Sequence, residues 1–164
     1  EICACLVGSE MCIRDRMEDR ANVLLRELSS MGYDIASAKF ESAVYDGTND
    51  ANVKIEERDG RTAAVVAVGA SVLFIEFGTG VMYPDNHPES ARNGMVRGTY
   101  GKGHGKQRTW GYYGDPGTNG VEKTNPKTGN TVVLTHGNPA NMSMYDTVKE
   151  LSDRLPALVK EVFR

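Results

Sequence analysis

Apolar residues recur at the spacing of one helix face in two stretches, one near each end of the chain. The first set consists of Leu24, Leu28, Met31 and Ile35. This spacing predicts a helix over residues 18–44, which ends at Asp46-Gly47. The second set consists of Met144, Val148, Leu151, Leu155, Leu158 and Val162. It predicts a C-terminal helix with Ser143 and Asp146 as its capping pair, which Pro156 should kink or split.

Between these helices the pattern changes to that of strands. Residues 52–58 alternate apolar and charged side chains, and Asp59-Gly60 predicts a tight hairpin turn into a return strand over residues 61–68. The apolar run 71–77 is too short for its period to separate a buried strand from a short helix, and we count it as a third strand. Residues 131–135 predict a fourth strand.

The long segment between the last two predicted strands has no sustained period. Proline and glycine interrupt it, and most of the 18 glycines lie between Gly78 and Gly137. We interpret residues 78–130 as an insert without regular structure that a partner would order. The predicted fold is therefore α+β, with a small antiparallel-rich sheet flanked by an N-terminal and a C-terminal helix and a long Gly-rich insert.

The first sixteen residues look foreign to the rest of the chain. They contain all three cysteines, and residues 6–15 resemble a transposase adapter for sequencing libraries translated in one frame. We therefore treat residues 1–16 as a non-native, adapter-derived segment and expect it to be dispensable. Residues 17–164 are then a single domain without cysteine.

The composition is that of an ordinary globular protein, with 40% hydrophobic and 25% charged residues and a net charge of −3. A small negative charge gives the chain as a whole no electrostatic attraction to nucleic acid or to acidic membranes. The three histidines are far apart, and no ligand spacing typical of a metal site occurs. We expect no metal, no cofactor, no catalytic residue and no membrane segment.

Glu76 is the most conspicuous single charge, because it stands within the apolar segment 74–80. A buried carboxylate must be paired or hydrogen-bonded. It would be a general base if a pocket brought it within hydrogen-bond distance of His87 or His136, as in a small hydrolase. We favour a structural role, in which Glu76 accepts hydrogen bonds from the backbone of Gly78–Gly80 or pairs with a basic residue.

A basic stretch with interleaved aromatic residues lies inside the insert, between residues 92 and 113. Such a pattern is typical of grooves for single-stranded nucleic acid and equally of protein interfaces. The candidate interaction residues are Arg97, Tyr100, Lys102, Lys106, Arg108, Trp110, Tyr112 and Tyr113.

Four segments, residues 74–81, 83–88, 109–114 and 135–145, together resemble one protein family. It is the gene-product-ten-like family of Hong Kong 97-type tailed phages, which comprises minor capsid, tail-completion and head–tail joining proteins. The resemblance covers residues 17–164, although Ser143 stands where close relatives would have proline. Its structural motif comprises Glu76, Phe77, Gly78, Thr79 and Gly80.

The resemblance implies a non-enzymatic virion protein that joins head to tail or completes the tail as a ring-forming subunit. Its partners would be further copies of itself and other phage neck or tail proteins. It would reside in the virion, and in the host cytoplasm during assembly. The alternative is a nucleic-acid-binding module that uses residues 92–113; strong salt dependence of DNA binding would distinguish it.

Overall fold

The computed structural model describes residues 2–80, 86–96, 98–99 and 107–164, with side chains from Cys12 onward. Within these residues there are three helices and five strands. The helices are α1 (Ile2–Glu41), α2 (Val72–Phe77) and α3 (Ser143–Val162). The strands are β1 (Asn52–Glu57), β2 (Ala63–Val68), β3 (Trp110–Tyr112), β4 (Val121–Thr124) and β5 (Thr131–Thr135).

The α+β class is confirmed, and the strands form two small antiparallel sheets. One is the predicted hairpin of β1 and β2, in which Asn52 pairs with Val68 and Glu57 with Ala63. The other has the order β3-β5-β4, so that β5 is its central strand. The predicted fourth strand over residues 131–135 is thus the one on which the second sheet is built.

The core lies where α1 faces the first sheet and α2. Ala36, Phe40, Val53 and Ile75 form this buried cluster, with exposed fractions from 0% to 7%. The buried face of α1 runs through Gly32, Ala36 and Phe40, whereas the predicted stripe from Leu24 to Ile35 is only half-buried. The small Gly32 allows close approach, since a Cβ there would lie 3.1 Å from the side chains of both Leu151 and Val65.

The segment after β2 is a helix, so the prediction of a third strand is wrong. Its first turn is closed by the bond from the Ile75 N–H to the Ser71 carbonyl, 2.9 Å long. The Asp50 carboxylate accepts the backbone N–H groups of Ala70 at 2.9 Å and Ser71 at 2.8 Å. These N–H groups precede or begin the helix, where no intrahelical carbonyl is available to accept them, so a carboxylate from outside the helix caps its start.

The prediction of an insert without regular structure is wrong for two of its parts. Residues 110–112 form β3 and residues 121–124 form β4, and both pair with β5. Strands of three and four residues are too short to produce a detectable alternation. Their pairing is therefore visible only in the folded chain.

Both long helices differ in extent from their predictions. α1 ends at Glu41 and includes residues 2–16, although the side chains from Cys12 to Asp19 are exposed. Glu18 and Arg20 contact the rest of the fold: Glu18 pairs with Arg61, and Arg20 donates to the Val162 carbonyl at 2.6 Å. α3 is one helix that contains Pro156, so this proline does not split it.

Candidate functional site

The first turn of α3 is capped by a side chain from another helix. Glu76 in α2 is 6% exposed, and its Oε2 accepts the backbone N–H of Met144 at 2.7 Å. Its Oε1 accepts the backbone N–H of Tyr145 at 2.9 Å. A carboxylate at a helix N-terminus satisfies free N–H groups and interacts favourably with the helix dipole.

Of the two kinds of partner predicted for Glu76, the structure has the basic residue, since His87 Nε2 lies 3.0 Å from Glu76 Oε1. The two backbone N–H groups at the start of α3 are further partners, which the sequence did not predict. The predicted capping pair is wrong, because the N-cap residue of α3 is Met142 in a left-handed conformation (φ 55°), whose own side chain makes no capping hydrogen bond. Ser143 is completely buried, and its hydroxyl accepts the side-chain N–H of Asn141 at 2.7 Å.

His87 completes the surroundings of Glu76. Its Nδ1 accepts the backbone N–H of Glu89 at 3.0 Å, so the proton of the neutral ring lies on Nε2. That Nε2 then donates to Glu76 Oε1 across 3.0 Å. The ring centroid of His87 lies 4.4 Å from that of Phe77 and 5.4 Å from that of Tyr145. The histidine therefore attaches the segment after residue 86 to both helices.

The segments around Thr79 and Asn138 are joined through their backbones. The Thr79 N–H donates to the Asn138 carbonyl at 2.8 Å, and the Asn138 N–H donates to Thr79 Oγ1 at 2.9 Å. Gly78 has a φ of 80°, and a Cβ there would lie 2.7 Å from the Ala140 nitrogen. A glycine is needed at this position for both reasons. We call residues 76–80, His87 and residues 137–145 together the clasp.

The clasp contains one of the two histidines that a hydrolase site could use beside Glu76. His87 is hydrogen-bonded to Glu76, whereas the side chain of His136 contacts Thr109, with its Nδ1 2.8 Å from Thr109 Oγ1. However, the side chains of His87 and Glu76 are only 2% and 8% exposed. Three donors converge on the carboxylate, and both ring nitrogens are engaged. A substrate would have to displace these bonds, so the geometry favours the structural role of Glu76.

A second carboxylate attaches the β3-β5-β4 sheet to the end of α1. Asp46 is 8% exposed; its Oδ1 accepts the Asn119 N–H at 3.0 Å, and its Oδ2 accepts the Thr135 hydroxyl. The negative charge of Asp46 adds to the effect of burial, which raises the pKa of Tyr112 above its usual value. From the sequence, Asp46 was predicted only to be part of a turn. Its role as an acceptor was not predictable, because its donors lie more than seventy positions away.

No protein-family model, curated protein or solved structure matches this chain. The family resemblance therefore stays a prediction that depends on the motifs alone. Two of the segments that carry it, around residues 74–80 and 135–145, are the segments that meet in the clasp.

The predicted basic and aromatic surface is only partly within the described residues. Arg97, Tyr100, Lys102 and Lys106 lie outside them. Arg108 is exposed and Tyr113 is 75% exposed, so both are available at the surface.

The remaining two aromatic residues of that surface are half-buried and have structural contacts. The Trp110 ring covers Gly80, where a Cβ would lie 2.9 Å from Cη2. The Tyr112 hydroxyl donates to the Asp115 carbonyl at 2.8 Å. The structure thus separates the candidate set into exposed side chains and side chains that hold the sheet in place.

In the part of the chain that the structure describes, no group of three His, Cys, Asp or Glu side chains could hold a metal ion. No described helix is both long and apolar enough to span a bilayer.

Proposed function

We propose that this chain is a non-enzymatic structural protein of a tailed-phage virion, which joins head to tail or completes the tail as a ring-forming subunit. The observation that carries the proposal is the clasp. Two motif segments about sixty residues apart in sequence contact each other through backbone hydrogen bonds and share the Glu76 cap. The motif residues therefore hold the fold together and are not exposed as reactive groups. This supports a structural protein over an enzyme.

The distribution of apolar side chains also supports assembly. Six apolar residues are buried among the described ones, whereas several large apolar side chains are exposed. The exposed set includes Val23, Leu73, Tyr113, Val121, Val148 and Leu155, with exposed fractions between 38% and 75%. Val148 and Leu155 belong to the stripe predicted to be core on α3. Aromatic and aliphatic side chains at a surface provide the apolar contacts of protein interfaces.

The function is tested by deleting the gene from the parent phage and examining lysates by electron microscopy. The proposal expects DNA-filled heads and separate tails, with joined virions restored when the intact gene is supplied in trans. Normal virions from the deletion strain would overturn it. If joining is normal and the purified protein instead binds single-stranded DNA with steep salt dependence, the nucleic-acid-binding function replaces it.

A further inference from the structure

A β-hairpin projects from the second sheet. Every residue from Val121 to Thr131 is exposed, on both β4 and the turn that leads into β5. The turn is nevertheless well ordered by its own bonds: the Asn125 N–H donates to the Asn130 carbonyl at 2.9 Å, and the Gly129 N–H to the Asn125 carbonyl at 2.9 Å. An exposed hairpin with a defined turn is preorganised for binding, because little conformational entropy is lost when a partner covers it.

A groove of about 320 Å³ lies between α1 and the residues that lead into β1. Its walls include Tyr33, Ser37 and Glu41 from α1 and Asn52 from β1. Tyr33 is 39% exposed and offers an amphipathic ring at the mouth of the groove. Asp34 precedes Glu41 by seven residues, so both carboxylates stand along the same side of α1.

The hairpin and the groove carry opposite net charges. Lys123 lies on β4 beside Glu122, and Lys127 lies in the turn, so the hairpin has one more positive than negative side chain. Glu41 lines the groove, and Asp34 lies two turns before it on the same side of α1. Neither the two lysines nor Asp34 and Glu41 have an ion-pair partner among the described residues. Two surfaces of one chain are thus complementary in charge, and one is convex and the other concave.

We infer that the groove beside Tyr33 receives the hairpin of a second copy of this chain, with Lys123 and Lys127 facing Asp34 and Glu41. This inference rests on the proposed function, since it names the contact by which copies would form a ring. The two surfaces differ, so the contact is head-to-tail, and a head-to-tail contact closes into a ring when its rotation allows. The opposite charges set the register of the contact and oppose wrong pairings.

The test uses two charge-reversed proteins. The hairpin variant carries Lys123→Glu and Lys127→Glu, and the groove variant carries Asp34→Lys and Glu41→Lys. In each protein alone the two contact surfaces have the same charge, so association measured by sedimentation velocity should weaken at least about tenfold. When the two variants are mixed, each hairpin again meets a groove of opposite charge. The mixture should therefore recover the mass of the wild-type oligomer.

Recovery on mixing is the decisive readout, because a general loss of stability in either variant cannot produce it. A control with Lys149→Glu and Lys160→Glu changes the net charge as much as the hairpin variant does, on exposed positions of α3. The control should associate like the wild type. Circular dichroism of each variant establishes that it is folded, and the milder Lys123→Ala and Lys127→Ala pair should give a smaller loss of association.

Three outcomes overturn the contact: wild-type protein that stays monomeric at high concentration, a hairpin variant that associates normally, or folded variants that do not combine on mixing. None of these bears on the deletion phenotype. If the phage needs the gene for joining but its product shows one of these outcomes, the proposed function stands and only this interface is wrong.

Discussion

Glu76 is a buried carboxylate that joins α2 to the first turn of α3. A carboxylate inside an apolar segment predicts burial with hydrogen-bond partners, and the structure has both. The partners themselves were not predictable, because Met144 and Tyr145 lie 68 and 69 residues further along the chain. His87 is also buried, at 4% exposure, although its own sequence neighbourhood has no apolar pattern that indicates burial.

Replacing Glu76 by glutamine should destabilise the protein. Glutamine can place one oxygen toward the start of α3, but its NH₂ group would then face a second donor. We expect a loss of about 2–3 kcal/mol in the free energy of unfolding by urea, the range for a hydrogen-bonded buried charge. Glu161→Gln, at an exposed position of α3, should change the free energy of unfolding by less than about 0.5 kcal/mol. Equal effects would show that Glu76 is no cap.

Asp50 gives the fold a defined dependence on pH. Hydrogen bonds from the Ser71 hydroxyl and from the N–H groups of Ser71 and Ala70 lower the pKa of Asp50 to about 2. Because the folded pKa lies below the unfolded value of about 3.9, its contribution is complete above pH 4. It is lost as the pH falls toward 2.

The contribution of Asp50 can be isolated by substitution. Asp50→Asn should lower the thermal midpoint at pH 6, where the carboxylate is charged, and bring it close to that of the wild type near pH 2. The measurement is the difference between the thermal midpoints of the wild type and the variant from pH 6 to pH 2. If this difference does not change with pH, the effect of the substitution does not come from the ionisation of Asp50.

The helices and strands were predictable where their patterns are local and long. Residues 18–41 and 143–162 repeat apolar side chains over several turns, and the β1–β2 hairpin is marked by alternation and by Asp59-Gly60. The run that became α2 was not predictable, because Asp50 supplies its first acceptors from a distant position. β3 and β4 exist through pairing with β5, a contact that no local pattern encodes.

The first sixteen residues should be dispensable even though α1 extends through residues 2–16. Of the described side chains in this segment, those from Cys12 to Arg16 are exposed, and exposed helix residues contribute little stability. A chain that begins at Met17 should keep the thermal midpoint of the full chain, measured by differential scanning calorimetry. A clear drop would place the segment within the cooperative fold.

The sheet within the insert gives Trp110 a structural role that the sequence did not predict. The ring is half-buried over Gly80, so Trp110→Ala should cost about 1–2 kcal/mol, less than the 3–5 kcal/mol of a fully buried aromatic residue. Tyr113→Ala is the matched control at a 75% exposed position, and it should change the stability by less than about 0.5 kcal/mol. The urea midpoints of the two variants are compared. Indistinguishable midpoints would show that Trp110 does not stabilise the fold.

The molecule as a whole combines a small core with extensive exposed apolar surface. Composition and pattern were sufficient for the α+β class, because this class needs only the order and type of the main elements. They were not sufficient for the clasp or the attachment through Asp46, which depend on contacts between distant segments. We propose that neighbouring copies cover part of this exposed apolar surface when the protein assembles.

Cryo-electron microscopy of the parent virion tests this account most directly. It predicts a closed ring of this chain at the junction of head and tail, with each β4–β5 hairpin lying on the α1 groove of the next copy. A virion map in which other proteins account for the whole junction, together with the absence of this chain from purified particles, would contradict it.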